Sequence, residues 1–186
     1  MNLKNTPLFW YTKTNYLHFF ASLKNGIYLV LMNYAIWFFL AFVSYLLITK
    51  DANIFWQLLI ATIIGEIIEK SGKKNPIWRR PLYYYNKKVP CGLVESWYNT
   101  GSFPSGHTVK ATFFFLFILQ HGVMNPIFYL FVTIPLLIFR IFVGFHYPVD
   151  IIGGVIIGWL IWFFSQSITV PQFLNNLIAS IVKFLI

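Results

Sequence analysis

Residues 25–49 contain no charged side chain. A helix crosses the hydrocarbon of a bilayer with about 20 apolar residues, and lipid admits only helices or closed barrels because no water is there to satisfy the backbone. No other feature constrains the fold as much. A turn at Lys50-Asp51 leads to a second apolar run, 52–68, with Glu66 near its end. Residues 111–139 carry no charge apart from a protonated His121, and they are too many for one helix. The stretch from His121 through Gly122, Asn125 and Pro126 is a turn signal, so spans are predicted over 105–122 and 126–143. A fifth runs over 150–167 and Pro171 ends it. The expected fold is all-α, a polytopic membrane helix bundle of about five transmembrane helices.

Composition agrees with this reading. Charged residues make up 10% of the chain, against about 25% in soluble domains, too few to cover a water-facing surface. Disorder is excluded because its signature is low hydrophobicity. The net charge of +9 does not make a nucleic-acid binder, since the basic residues sit between apolar runs and not on one soluble face. Cys91 is the single cysteine, which excludes an internal disulfide framework or a multi-cysteine zinc site. The whole chain, 1–186, reads as one integral membrane domain: an interfacial helix within 1–25, the bundle over 26–167, and an amphipathic C-terminal helix over 172–186. Residues 8–23 interleave Trp10, Tyr11, Phe19 and Phe20 with Lys13 and His18, which suits the interface. Asn175, Asn176 and Lys183 interrupt the last segment. No cleavable signal peptide or internal repeat is visible.

Alternating crossings place the N-terminus, the polar loop 70–104, the start of span three and the junction of spans four and five on one face. Lys73, Arg80, Ser105, His107, Arg140, His146 and Asp150 all fall there. A charge at mid-bilayer costs roughly 2.5–3.5 kcal/mol, so such a gathering at helix ends points to function. Three fixed cations suit a group with several anionic oxygens, and arginine's fork matches phosphate. Pro104-Ser105-Gly106-His107 stands where a helix begins, where free N–H groups and the dipole favour an anion. His146 and Asp150 are four apart and can meet on a helical turn. A carboxylate holding one ring nitrogen leaves the other as a nucleophile, and His107 is available as general acid. Glu66 and Glu69 are expected to pair with Lys70 and Lys73, so no metal-ligand set is left. These residues suggest phosphoryl transfer through a histidine, without metal or cofactor.

Lys73, six residues, then Arg80-Pro81; Pro104-Ser105-Gly106-His107; and Arg140, five residues, His146, three residues, Asp150 together resemble the three-part signature of the type-2 phosphatidic acid phosphatases. These belong to the superfamily of lipid phosphate phosphatases and vanadium haloperoxidases. Val143 to Asp150 is similar to bacterial members, and the short chain with its interfacial N-terminal helix resembles compact undecaprenyl-diphosphatases. The resemblance implies that His146 attacks phosphorus, Asp150 orients it and His107 protonates the leaving oxygen. Lys73, Arg80, Ser105, the Gly106 amide and Arg140 would hold the phosphate oxygens. The implied partner is a membrane lipid phosphate in the bilayer, with no metal or cofactor. First among substrates is undecaprenyl diphosphate, then phosphatidylglycerophosphate, phosphatidate or lipid A phosphate. Phe139 departs from the pattern, standing where the family often has a serine.

The remaining polar and aromatic residues have ordinary readings. His18 and His121 are read as structural, and Lys70, Lys74, Lys87 and Lys88 as a solvated or headgroup-facing run. Arg79 is a lesser candidate beside Arg80. Lys110 is expected to snorkel. Trp78, Trp97 and Tyr83 to Tyr85 are read as an interface belt, and Gly154 with Gly158 as a helix-packing pair. The site face holds 12 of the 14 lysines and arginines. The positive-inside rule would turn it to the cytoplasm, whereas the resemblance implies an extracytoplasmic site on a bacterial plasma membrane. A non-catalytic lipid or ion transporter is the rival of another class, but transporters tend to carry repeats and broken mid-membrane helices.

Overall fold

The computed structural model describes residues 7–10, 26–85 and 100–185. Among these residues there are seven α-helices, a short 3-10 turn at Pro7–Phe9 and no strand. The helices are α1 (Gly26–Lys50), α2 (Asn53–Lys74), α3 (Pro81–Tyr85), α4 (Gly106–His121), α5 (Pro126–Phe142), α6 (Pro148–Ser165) and α7 (Gln172–Leu185). Most of the expected N-terminal surface helix lies outside the described residues, as do Trp97, Lys87, Lys88 and Cys91.

Local chemistry sets the helix boundaries. Asp51 Oδ1 accepts from Asn53 N at 2.9 Å where α2 begins. Asn125 Oδ1 accepts from Ile127 N at 2.8 Å, with Pro126 in the first turn of α5. Both give orphan N–H groups of a first turn a partner. Pro148 opens α6, where a missing N–H costs nothing. The second helix runs six residues past the apolar run that predicted it, to Lys74. The long polar loop is therefore helical at its start, and Lys73 stands one turn after Glu69.

The core joins one stripe of α1 (Ile36, Leu40, Val43, Leu47) to Ile54, Leu58 and Ala61 of α2 and Phe113, Phe114, Phe117 and Ile118 of α4. Helix α4 is central, touching α1, α2, α5 and α6, and it packs most extensively on α6. Gly154 and Gly158 allow this contact. A Cβ at Gly154 would lie 2.8 Å from Thr108 Cβ, and one at Gly158 would lie 2.5 Å from Val109 O. The outer surface is apolar: Phe38 is 78% exposed and Phe131 77%. Water would penalise such a surface at about 25 cal/mol per Å², and lipid would not. Helices α1 and α6 are long and apolar enough to cross a membrane, and α5 is apolar but shorter.

The helix ends sort to two ends of the bundle. At one end Asn53 Nδ2 donates to Ile168 O at 3.1 Å, and Gln120 Nε2 donates to Gln166 Oε1 at 2.8 Å. At the other end Ser105 N, opening α4, donates to Asp150 O in α6 at 3.2 Å. The polar residues singled out in the sequence lie at this second end.

Candidate active site

The end of α2 with loop 75–80, and loop 100–105, build one wall by backbone pairing. Gly101 N donates to Lys73 O at 3.2 Å and Ser102 N to Trp78 O at 3.3 Å, and Arg79 forms a bridge with Gly101. The junction between α5 and α6 rewinds on itself: Phe145 N and His146 N both donate to Arg140 O, at 2.9 and 3.3 Å. Gly144, at φ +81°, makes this possible, because a side chain is disfavoured there. Gly144 O also accepts from Leu82 N at 3.0 Å, which clasps the start of α3 to the junction.

His146 is buried in this wall. Its Nδ1 is 2.8 Å from Ser102 O and 3.5 Å from Asp150 Oδ2. The backbone carbonyl is thus the closer partner, a second hold on the ring beside the Asp150 carboxylate that the sequence expectation named. Asp150 is tied elsewhere: Tyr147 N donates to Oδ2 at 2.7 Å and Trp78 Nε1 to Oδ1 at 2.9 Å. Trp78 therefore belongs to the site's hydrogen-bond framework and not to an interface belt. Phe9 and Phe103 pack on its ring, at 5.1 and 5.3 Å between centroids. Burial, then the charges of Arg80, Arg140 and Lys73, hold the His146 imidazole well below the usual histidine range. Both effects favour the neutral ring, and the Ser102 carbonyl makes Nδ1 its donor.

Arg80 is buried, with Nε donating to Thr100 Oγ1 at 3.2 Å and Nη1 to Phe145 O at 3.1 Å. Burial pulls its guanidinium down to about 10, so it remains a cation at neutral pH. Arg79 is not brought into the site; its guanidinium lies exposed, 4.2 Å from the Tyr83 ring centroid.

A second wall comes from α1, α4 and α5. Arg140, in the last turn of α5, donates from Nη1 to Asn33 Oδ1 at 2.8 Å. The same nitrogen is 3.3 Å from His107 Nε2, and Arg140 Nε is buried with no hydrogen-bond partner among the described residues. His107 Nε2 is also 3.4 Å from Asn33 O, and the Trp37 ring stands edge-on to the imidazole at 5.4 Å. His107 lies within electrostatic reach of Arg140, His146 and Lys110. Ser105 is buried and its hydroxyl accepts from Thr108 Oγ1 at 2.9 Å.

Lys110 corrects another expectation. It does not snorkel: its side chain is 2% exposed, and Nζ lies 2.6 Å from Glu66 Oε1 and 3.1 Å from Glu69 Oε2. The Trp37 ring centroid is 4.9 Å away. Glu69 also pairs with Lys73, and Glu66 with Lys70 at 3.9 Å. Asn33, Trp37 and the Ser102 carbonyl are site components absent from the sequence reading, which gave Glu69 only as a partner of Lys73 and Trp78 only as part of an interface belt. Of these, Asn33 had a signal, being the only amide in 26–49, because a polar group inside an apolar span is a functional hypothesis by default. Among the described residues no group of three or more His, Cys, Asp or Glu side chains could hold a metal ion.

A helix bundle carrying a buried and a half-buried histidine among fixed cations at one end defines a class of protein suited to an anionic group. The match to a known family makes this specific. The model of the PAP2 superfamily matches residues 79–173, just over half of the chain, and the protein belongs to that superfamily. Membership supports phosphatase activity on lipid phosphate substrates. The match covers Arg80, Ser105, Gly106, His107, Arg140, His146 and Asp150, and Lys73 lies just ahead of it. Comparison with curated proteins and with solved structures gives no match.

Proposed function

We propose that the protein is a multi-pass membrane enzyme that removes a terminal phosphate from a lipid through a phosphohistidine, without a metal ion. The observation that carries this is the state of His146: Nδ1 is engaged by Ser102 O at 2.8 Å, which directs the lone pair of the neutral ring to Nε2. That nitrogen attacks phosphorus, and the bond to the leaving oxygen breaks with its electron pair. Lys73, Arg80, Arg140, Ser105 and the Gly106 amide receive the phosphoryl oxygens. Groups aimed in advance at developing charge supply most of the catalysis in such reactions. A phosphate drawing on Arg140 would free His107 Nε2 to take up a proton from water, and the imidazolium so formed gives that proton to the leaving oxygen. In the second step a water attacks the phosphohistidine, His107 takes the water's proton, and inorganic phosphate leaves with His146 restored.

An apolar groove supports a lipid substrate. It encloses about 290 Å³ between α5 and α6, with α4 lining it as well. Thr108, Ile141 and Ile151 line it, and each follows a proposed site residue directly: His107, Arg140 and Asp150. Along α5 it runs over residues 129–141, roughly 18 Å at the helical rise. A hydrocarbon chain lying there would put its headgroup at the site. In this reading α1, α2, α4, α5 and α6 make five crossings, α7 lies at a membrane surface, and the site faces outward from a bacterial plasma membrane. Undecaprenyl diphosphate is the first substrate to test. The experiment is phosphate release from purified undecaprenyl diphosphate, phosphatidate and phosphatidylglycerophosphate, each with excess chelator and then with vanadate. Release that survives chelation and stops with vanadate is the expected result. Activity that returns to the chelated enzyme only with magnesium would overturn the metal-free mechanism.

A further inference from the structure

Glu69 has no part in the reaction as proposed, yet its carboxylate sits within the cationic pocket. Lys73 and Lys110 both bond it, Lys110 at 3.1 Å. Its charge reaches Arg80, Arg140 and His146 as well. A Cβ added at Gly106 would overlap the carboxylate group itself, so those oxygens rest on the first turn of α4, where free N–H groups favour an anion. The side chain is 13% exposed. Glu69 lies beyond the apolar run 52–68, and it is ionised. Burial alone would push its carboxyl up, but Lys73 and Lys110 outweigh that and hold it at about 2. A carboxylate therefore rests on the Gly106 turn and on Lys73, two of the groups assigned to phosphate.

We propose that Glu69 is a built-in competitor for the phosphate position, displaced from Gly106 and Lys73 when substrate phosphate binds and returning as inorganic phosphate leaves. This rests on the reading of the pocket as a phosphate site. Lys110 gives the displaced carboxylate somewhere to go. It is buried and already holds Glu66 at 2.6 Å, so Glu69 can leave Gly106 without losing every counter-charge. The device sets substrate class. A terminal phosphate with two negative charges outcompetes one carboxylate for these cations, whereas the single charge of a phosphodiester headgroup, the common state of bilayer lipids, does not.

The test titrates inorganic phosphate into the purified full-length protein in detergent, for the wild type, Glu69→Gln, Glu69→Asp and Glu66→Gln. Phosphate inhibition of lipid hydrolysis is measured in parallel. Glu69→Gln should bind phosphate about tenfold tighter, equivalent to about 1.4 kcal/mol. Glu69→Asp keeps the charge but withdraws it from Gly106 by one methylene, and should still bind about threefold tighter by the same scale. Glu66→Gln removes a charge from Lys110 but not from Gly106, and should stay within about twofold. Phosphate binding no tighter in Glu69→Asp than in the wild type overturns the proposal. So does a gain in Glu66→Gln equal to that in Glu69→Gln, since charge alone would then explain both. If Glu69→Gln does not fold, Glu69→Asp decides. Lipid hydrolysis with unchanged phosphate affinity in the variants would sink only this proposal. A wild type that neither binds phosphate nor hydrolyses lipid phosphates would remove the phosphate reading, and this proposal with it.

Discussion

The two histidines of the site are held in different ways. His146 stands in a wall made of loops and helix starts, where backbone groups fix most positions: Ser102 O on the ring, Tyr147 N on Asp150, Phe145 O on Arg80. His107 stands in a wall made of three helices, where side chains do most of the holding: Arg140 on Asn33 and Trp37 against the ring, with one long contact from Nε2 to the backbone carbonyl of Asn33 at 3.4 Å. A ring held by backbone is fixed by the local chain path. A ring held by side chains from α1, α4 and α5 depends on how those helices pack. The proposed nucleophile thus has a rigid mount and the proposed acid an adjustable one, which suits a group that must serve as acid and then as base.

The largest effects should come from the rings themselves. His146→Ala removes the atom that would carry the phosphoryl group, and a loss of roughly 10⁴-fold or more is expected, as when a nucleophile is removed elsewhere. His107→Ala should cost roughly 10²- to 10⁴-fold, the range for general acid–base groups. The loss should be smaller with a diphosphate, whose leaving phosphate monoester needs its proton less than an alkoxide does. Phosphate release by both variants on a diphosphate and a monophosphate lipid, at matched protein amounts, checks this. Near-normal activity in His146→Ala would reverse the roles of the two histidines.

A pH profile sharpens the same contrast. Burial first, and then Arg80, Arg140 and Lys73, keep the His146 ring well below the usual histidine range. The neutral ring is the proposed nucleophile, so a lowered value would extend activity toward acid. The kcat/KM for lipid phosphate should not fall as pH drops through about 6.5, the ordinary histidine value. A steep decline centred there would place an unshifted histidine in the nucleophile's role.

The residues that could be found from sequence are those with fixed spacing along the chain. Lys73 and Arg80, Ser105 and His107, and Arg140, His146 and Asp150 sit at helix ends that alternating helices bring to one end of the bundle. What could not be found comes from pairings across the fold. Trp78 reaches Asp150 over 72 positions with no local pattern to mark it, and Asn33, marked only as a lone amide in an apolar span, reaches Arg140 over 107 positions with nothing local to name that partner. Lys110 misled because a lysine near a helix end usually snorkels. Here two carboxylates one turn apart on α2 give it a buried partner, and only the packing of α2 on α4 reveals that. The extra turn and a half of α2 was missed for a related reason: residues 69–74 are polar, so hydropathy ends the span where the helix continues.

Next in size are the supports of His146. Asp150→Asn keeps a group on Tyr147 N but loses the charge near Nδ1. Ser102 O still holds the ring, so the loss should be about 10- to 100-fold, well short of the roughly 10⁴-fold seen when a serine protease loses its orienting carboxylate. Trp78→Phe removes one hydrogen bond to Asp150 and keeps the packing on Phe9 and Phe103. A hydrogen bond to a charged group contributes about 1.5–3 kcal/mol, shared here between Asp150's position and the fold, so the rate should fall less than tenfold. Steady-state kinetics on a single lipid substrate would rank the two, and a Trp78→Phe loss exceeding that of Asp150→Asn would show that Trp78 acts other than through Asp150.

The smallest effect should come from the adjustable wall, and it should fall on binding. Asn33→Leu removes the amide that holds Arg140 Nη1 at 2.8 Å and leaves His107 Nε2, at 3.3 Å, as that nitrogen's remaining partner in the described site. The guanidinium is still present and charged, so a bound phosphate can recruit it, but it must be ordered each time substrate arrives. Ordering one long side chain costs about 0.5–1.5 kcal/mol on binding, so KM should rise roughly two- to tenfold while kcat changes little. Loss of a buried amide partner also exposes the contrast between the two walls. The same style of change at Thr100, where backbone Phe145 O still holds Arg80 at 3.1 Å, should raise KM less than Asn33→Leu does. Measuring KM and kcat separately for Asn33→Leu and Thr100→Val decides it. A fall confined to kcat in Asn33→Leu would mean that Asn33 orders His107 for chemistry and not Arg140 for binding.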